Sequence, residues 1–471
     1  MINANNSYSN NQNQSIGELN MKIARKQHFS RFLFCTGLLV ACFAVSAQAE
    51  AANPVCDGCP EDPDSFLTLL ERSVPEDAVS ANAYYAAIDP VGNKTTIADW
   101  YFEAGFIDSP LDYTSSGPMP LNPGSKVVVH QNVADLSFVR RVSTRCKPRC
   151  SHPNPDVYSV IENYSFLKDS ADPFEDAARR INRLASVAME LTSAADGSNP
   201  SRKFITYYAY TGTTAATPDG FRDTRDQSPG IPFAPDLDGR GNKQVPGLCS
   251  SCHGGAPRVL NTDGTYPENG DTGAHFLPLD LDNFVFDQVR TGRSRENQEK
   301  RYCKTNKMVL IDHRGTATFD EVAGIARVPA VQELIEGWYG DSCKDDPSFH
   351  GEFIPPGWLP PAAPAFAGDL YLEAIAPACR SCHANQKRAL DFATYEGFMV
   401  FEDAHRELVL RIECGLDDDD SGIRGDGQDD QAVMPLALET FKAFWEPVPA
   451  GEHRQVDYFK ELIGEIDCND Y

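Results

Sequence analysis

The chain has 471 residues, 41% of them hydrophobic, with 14 cysteines and a formal charge of −26 from 42 Lys+Arg against 68 Asp+Glu. Enough apolar side chains are present for more than one core, which excludes a disulfide miniprotein, a collagen-like fibre and a wholly disordered chain; about 150 residues per domain gives roughly three domains. So acidic a chain lacks the cations that displace counterions from a phosphate backbone, and nucleic acid is not an expected partner.

Residues 1–20 are rich in Asn and Ser without an apolar period and read as a disordered or mis-assigned start. From Met21, the basic residues Lys22, Arg25, Lys26 and Arg31 precede an apolar run from Phe32 to Ala47 and the small-residue triplet Ala47-Gln48-Ala49. That order has the form of a signal peptide over 21–49, cut before Glu50. The run is shorter than the ~20 residues of a spanning helix, and no later stretch is long and apolar enough, so no transmembrane span is expected in the mature chain. Leu39-Val40-Ala41-Cys42 looks like a lipobox, which keeps lipoprotein anchoring as a minor alternative. Export to a bacterial periplasm is the expected localisation, and it places the later cysteines in an oxidising compartment.

Residues 50–226 carry no motif with chemistry and are expected to form an α+β domain of unassigned role. Helical signals run from Ser80 to Ile88 and from Thr96 to Phe106. Strand signals, β-branched or aromatic and bounded by turn residues, run from Lys126 to His130, Val157 to Tyr164, Leu184 to Leu191 and Phe204 to Tyr210. In residues 227–354, Cys249-Ser250-Ser251-Cys252-His253 follows a loop. Thr318 with Glu321 has the form of a capping box, and Pro329 sits where a helix can start. A Pro-rich stretch, 355–366, reads as a stiff linker. Residues 367–471 open with an amphipathic helix from Asp369 to Ala378 that leads into Cys379-Arg380-Ser381-Cys382-His383, and a later helix is expected from Leu436 to Trp445.

Cys-x-x-Cys-His is the attachment signature of c-type haem. Two thiols add to the haem vinyl groups, and the adjacent imidazole reaches the iron as proximal ligand. Cys249, Cys252, Cys379 and Cys382 are therefore the expected anchors of two c-type haems, with His253 and His383 on the irons. A structural zinc site would want two further ligands at metal spacing, and neither motif has a nearby second pair.

With these motifs in place, the sequence resembles a dihaem c-type cytochrome of the bacterial periplasm, and the stretch from Asp369 to the C-terminus is similar to a small class I cytochrome c. The resemblance implies that Met434, beside Pro435, gives its thioether to the second iron. The expected fold is multidomain: an α+β N-terminal domain followed by two mainly α-helical cytochrome c-like haem modules. The first module departs from the class I pattern, and three readings stay open for its sixth iron position. Met308 lies about as far after His253 as Met434 lies after His383, His275 sits on a Gly-led loop, and the position is otherwise open or water-occupied.

The remaining cysteines, Cys56, Cys59, Cys146, Cys150, Cys303, Cys343, Cys414 and Cys468, are expected to form disulfides, with Cys303 to Cys343 and Cys414 to Cys468 favoured by segment. A Cys₄ metal site from Cys56, Cys59, Cys146 and Cys150 is the alternative. The acidic run from Asp417 to Asp420, with Asp426, Asp429 and Asp430, is either a solvated loop or a calcium loop. The leading functional expectation is electron transfer between redox partners that carry basic docking patches, with the N-terminal domain as docking surface and no catalytic residue. The alternative is a peroxidase-like dihaem oxidoreductase with an open sixth position at the first haem; His313 and Glu321 are its guessed acid or base.

Overall fold

The computed structural model describes residues 77–114, 117–164, 172–211, 224–225, 244–313, 318–320, 325–340, 343, 347–386, 391–400, 437–446, 449 and 453–463. The signal segment, Cys56, Cys59, Glu321, Cys414, the acidic run, Met434 and Cys468 lie outside the described residues.

Helix α1 (Ala78–Ile88) begins where the Asp77 carboxylate accepts from Ser80 N at 2.8 Å. Helix α2 (Ile97–Glu103) begins at a reciprocal cap: Thr96 Oγ1 accepts from Asp99 N, and Asp99 Oδ2 accepts from Thr96 N. Each cap satisfies a donor that a helix start leaves unpaired. Five long strands follow, β1 (Lys126–Asn132), β2 (Val139–Lys147), β3 (Asp156–Tyr164), β4 (Ala185–Ser193) and β5 (Lys203–Thr211), with helix α3 (Pro173–Arg179) between β3 and β4. They form an antiparallel meander, extended by β6 (Thr224–Arg225) beyond β5 and by β7 (Phe284–Val285) beyond β1. Tyr84 and Tyr85 of α1 accept from Tyr207 N and Ala209 N at 2.8 and 3.1 Å, so a helix covers backbone donors that would invite another strand.

Side chains alternate across the sheet. On one face Tyr158 meets Trp100 edge-on at 6.1 Å, and Arg145 lies over Phe106. Buried on the same face, Glu162 accepts from Arg180 at 2.7 Å, Arg183 at 3.2 Å and Arg141 at 3.3 Å. Burial alone would raise the Glu162 pKa, but the guanidiniums prevail and hold it at about 2. The opposite face, with Val142, Ile161, Val187 and Met189, turns toward the segment after residue 244.

That segment supplies α4 (Gly247–His253), α5 (Arg295–Asp312), a short hairpin of β8 (Thr318–Asp320) and β9 (Ile325–Arg327), and α6 (Ala330–Tyr339). Gln298 of α5 pairs with the Val129 backbone in both directions, at 2.7 and 2.9 Å, and so fixes the helix to β1. Cys303 is bonded to Cys343 and Cys146 to Cys150. The second pairing removes the Cys₄ metal alternative, because a thiolate needed for the metal is consumed. The expected helix start at Thr318 is instead a strand paired with β9, since β-branched and aromatic Thr318, Phe319 and Ile325 suit a pleated ladder.

One apolar cluster joins Trp100, Val142, Tyr207, Cys249, Tyr302 and Trp338. The expected boundary near residue 226 therefore does not divide two cores: the sheet and the first motif segment pack together. A second cluster is helical. Its axis is α7, in which Ala367–Leu370, a π turn Tyr371–Ile375 and Ala376–Ala378 run on, and it continues through α8 (Arg380–His383), α9 (Tyr395–Met399), α10 (Leu438–Trp445) and α11 (Gln455–Ile463). The Pro-rich stretch belongs to this core and is not a free spacer. Pro356–Trp358 forms a 3₁₀ turn, and the fully buried Trp358 indole donates to Phe392 O at 2.9 Å.

Candidate functional site

Helix α4 carries Cys249, Cys252 and His253. A three-residue spacing puts the two thiols on one side of the helix. All three residues line a solvent-open cleft of about 200 Å³. Opposite them stands the sheet, with Val142, Ile161, Val187 and Met189, and the 276–280 loop closes a further side. The lining is mainly apolar with convergent polar groups, the chemistry of a small-molecule pocket.

Around His253 the backbone is built to hold an imidazole. Its Nδ1 lies 2.9 Å from His275 O, while His275 N donates to His253 O at 3.0 Å. Burial lowers the His253 pKa to about 4, so the ring is neutral at physiological pH, and Nδ1–H then donates to the carbonyl. That tautomer leaves the Nε2 lone pair for a metal, which is how a second-shell carbonyl orients a ligating histidine. Two glycines make the approach possible. At Gly254 a Cβ would stand 2.3 Å from Asn385 O, at Gly255 2.2 Å from Thr272 O, and both have φ of +74°. Nearby, the Tyr207 ring lies 5.8 Å from that of His253, and its buried hydroxyl has no hydrogen-bond partner among the described residues.

The second motif packs directly against the first. Cys252 and Cys382 line the same cleft. Gln386 Nε2 donates to Ser251 O at 2.8 Å, and Asn385 Nδ2 donates to His275 O and Phe276 O at 3.1 and 2.7 Å. Within the motif, Arg380 donates to the buried Asp280 carboxylate at 2.6 and 2.8 Å, and Ser381 Oγ meets Asn283 Nδ2 at 2.7 Å. The residues between the cysteines of one motif are therefore held by the loop that follows the other. His383 stacks on Phe392 at 4.2 Å and lies outside the lining of the cleft, as does Cys379, whose thiol pKa burial pushes up to about 12.

Met308 and His275, the residues expected at the sixth position of a first haem, are not among those lining the cleft. Helix α5 turns Thr305 and Val309 into it, while Met308, one residue and about 100° round the helix, packs in the shared core. His275 gives its carbonyl to His253 and its ring to Asp312, with Nδ1 3.3 Å from Oδ2, on the far side of the proximal imidazole. Side chains not singled out from sequence line the sheet wall instead. Met189 offers a thioether. His130, with Nδ1 2.8 Å from Tyr302 Oη, is held neutral by burial, and its cross-strand neighbour Arg140 is ion-paired with Asp135. A buried histidine ending the apolar run Val127-Val128-Val129 was the available signal for His130; nothing in sequence tied it to a cleft.

The donor set fits covalent haem better than zinc. The four motif cysteines carry no disulfide, whereas the other four described cysteines are paired. Among the described residues the motif thiols and imidazoles do not converge into a cluster of three or more ligands, as a structural zinc site requires. No described helix is long and apolar enough to cross a membrane. Comparison with protein-family models, curated proteins and solved structures gives no match for this chain.

Proposed function

We propose that the chain is a periplasmic dihaem c-type cytochrome that passes electrons between redox partners through two covalently attached haems. Cys249 and Cys252 would anchor the first and Cys379 and Cys382 the second, with His253 and His383 as proximal ligands; Met434 is the proposed distal ligand of the second. The group supplies a one-electron iron couple, whose potential depends on axial ligands and burial. The observation that carries this reading is the packing of the two motifs together, with Gln386 bonded to Ser251 O and with Cys252 and Cys382 lining one cleft, beside an imidazole whose Nδ1 is already held by a backbone carbonyl. Adjacent attachment points suit transfer within one chain. The sheet of residues 126–211 then serves as a wall of the haem cleft, and the net charge of −26 favours partners with a basic docking patch. A signal peptide over 21–49 would deliver the chain to the compartment where such haems are attached.

A second reading has a specific observation behind it. Met308 and His275 both lie off the cleft, and the His130 ring on its sheet wall is held by Tyr302, which favours an open sixth position and an oxidoreductase that binds a small oxidant there. Mass spectrometry and EPR of the full chain from a cytochrome-maturing host test both. Two added haem masses are expected, and the mass of the bare polypeptide would overturn the proposal. Two low-spin irons support the carrier; a high-spin first haem with peroxide turnover supports the enzyme. Met434→Ala is expected to add a high-spin signal at the second haem alone.

A further inference from the structure

We infer that His275, Asp312 and His313 form a separate binding site for a divalent first-row ion such as zinc, behind the His253 imidazole and independent of both Cys-x-x-Cys-His motifs. Asp312 is the last residue of α5 and His313 its C-cap, at the end of an 18-residue helix where the backbone dipole favours a cation. The loop carrying His275 brings Nδ1 to 3.3 Å from Asp312 Oδ2, and His313 Nε2 lies 4.0 Å from the same oxygen. The two rings are 5.1 Å apart, and one ligand atom from each residue falls within 4.8 Å of the others, the one such trio among the described residues. Bonds of about 2.0–2.1 Å would place tetrahedral donors roughly 3.3 Å apart. Of the three separations, His275 to Asp312 already has that value, His313 to Asp312 is 4.0 Å, and the two imidazole nitrogens lie within 4.8 Å, so the site closes by a side-chain shift on the order of an ångström. Two imidazoles with one carboxylate select a borderline ion over calcium or magnesium, which want oxygen.

The surroundings already supply what an occupied site needs. Phe276 N donates to Asp312 Oδ2 at 2.8 Å, the kind of outer hydrogen bond that orients a ligating carboxylate. His313 Nε2 meets Phe276 O at 3.1 Å, and turning that nitrogen to an ion does not orphan the carbonyl, because Asn385 Nδ2 donates to it at 2.7 Å. His275 and Asp312 also line a second, solvent-open pocket, which leaves room for water as a further ligand. The two cations on its rim are spoken for: Arg202 pairs with Asp271 and Lys203 with Asp156.

Zinc titration of the chelator-treated full chain by calorimetry tests the site. One zinc per chain is expected, and Asp312→Asn should weaken binding at least tenfold. His275→Gln, at a side chain 36% exposed against 4% for Asp312, should weaken it likewise, so misfolding of the buried variant alone cannot mimic the result. No stoichiometric zinc in the wild type, or equal uptake by wild type and both variants, would overturn the site. Because the readout is a difference between variants that leave both motifs intact, its failure is distinguishable from failure of the haem proposal.

Discussion

The two Cys-x-x-Cys-His motifs are chemically alike and are housed differently. The first sits on a short helix facing a β-sheet, in a cleft whose sheet wall mixes Val142, Ile161 and Val187 with Met189, His130 and Asn163 and whose His253 imidazole is gripped by the His275 loop. The second ends a helix with a π turn and belongs to an aromatic helical core of Trp358, Phe398, Phe441 and Trp445. What the contrast teaches is that a pentapeptide can fix only where the proposed haem attaches, while its far side is left to whatever fold encloses it. Different enclosures give different axial ligands and dielectric surroundings, the levers that separate two potentials. Because the motifs also touch, such a difference would act within one chain.

The largest effect should come from deleting one half of the pair. Cys249→Ala with Cys252→Ala is expected to remove one haem mass of two and leave the second-haem spectrum in place. Retention of both masses would contradict the attachment assignment.

Next comes the joint between the halves. Arg380 and Asp280 are both buried, and in spite of burial Asp280 keeps the Arg380 guanidinium firmly protonated. Asp280→Ala would strand that charge, at a cost of about 3–5 kcal/mol. Urea unfolding should lose that much, and the second-haem transition should separate from the first. A loss below ~1 kcal/mol would show that the joint is not fixed by this pair.

Acid should then distinguish the two housings. Glu162 lies behind the sheet that walls the first cleft, and its folded pKa of about 2 is below its ordinary 4.5. The stabilisation is therefore complete above about pH 4.5 and is lost as pH falls toward 2. At ~1.4 kcal/mol per pH unit it amounts to about 3 kcal/mol. The first-haem spectrum should change before the second in a titration from pH 5 to 2, and Glu162→Gln should remove much of that separation.

How far the sequence revealed this arrangement follows the same division. Helices α1 and α2, four of the five long strands and the α6 start at Pro329 were legible because period and caps are local. Strand β2 was missed because Arg140, Arg141 and Arg145 dilute its apolar signal, although Arg140 pairs with Asn163 and Asp135, Arg141 with Glu162, and Arg145 lies over Phe106. The two Cys-x-x-Cys-His motifs were legible in the sequence because the proposed thioether attachment demands a fixed spacing. The cleft was not: the sheet wall and the His275 carbonyl meet α4 only through tertiary packing. Treating the segment before residue 226 as a separate docking domain hid that wall.

Met308 gives the smallest and sharpest comparison. Spacing after His253 made it a counterpart of Met434, yet it faces the core beside Val309 and Cys303 while Thr305 and Val309 face the cleft. A core methionine is replaced by leucine at nearly constant volume, which costs less than about 1.5 kcal/mol. An iron-ligating methionine cannot be so replaced without losing its thioether. Met308→Leu should therefore leave the optical and EPR spectra of both haems unchanged and shift the unfolding midpoint only slightly. A new high-spin signal from the first haem would mean that α5 rotates when the haem is attached, and the sheet would then no longer stand alone on the distal side.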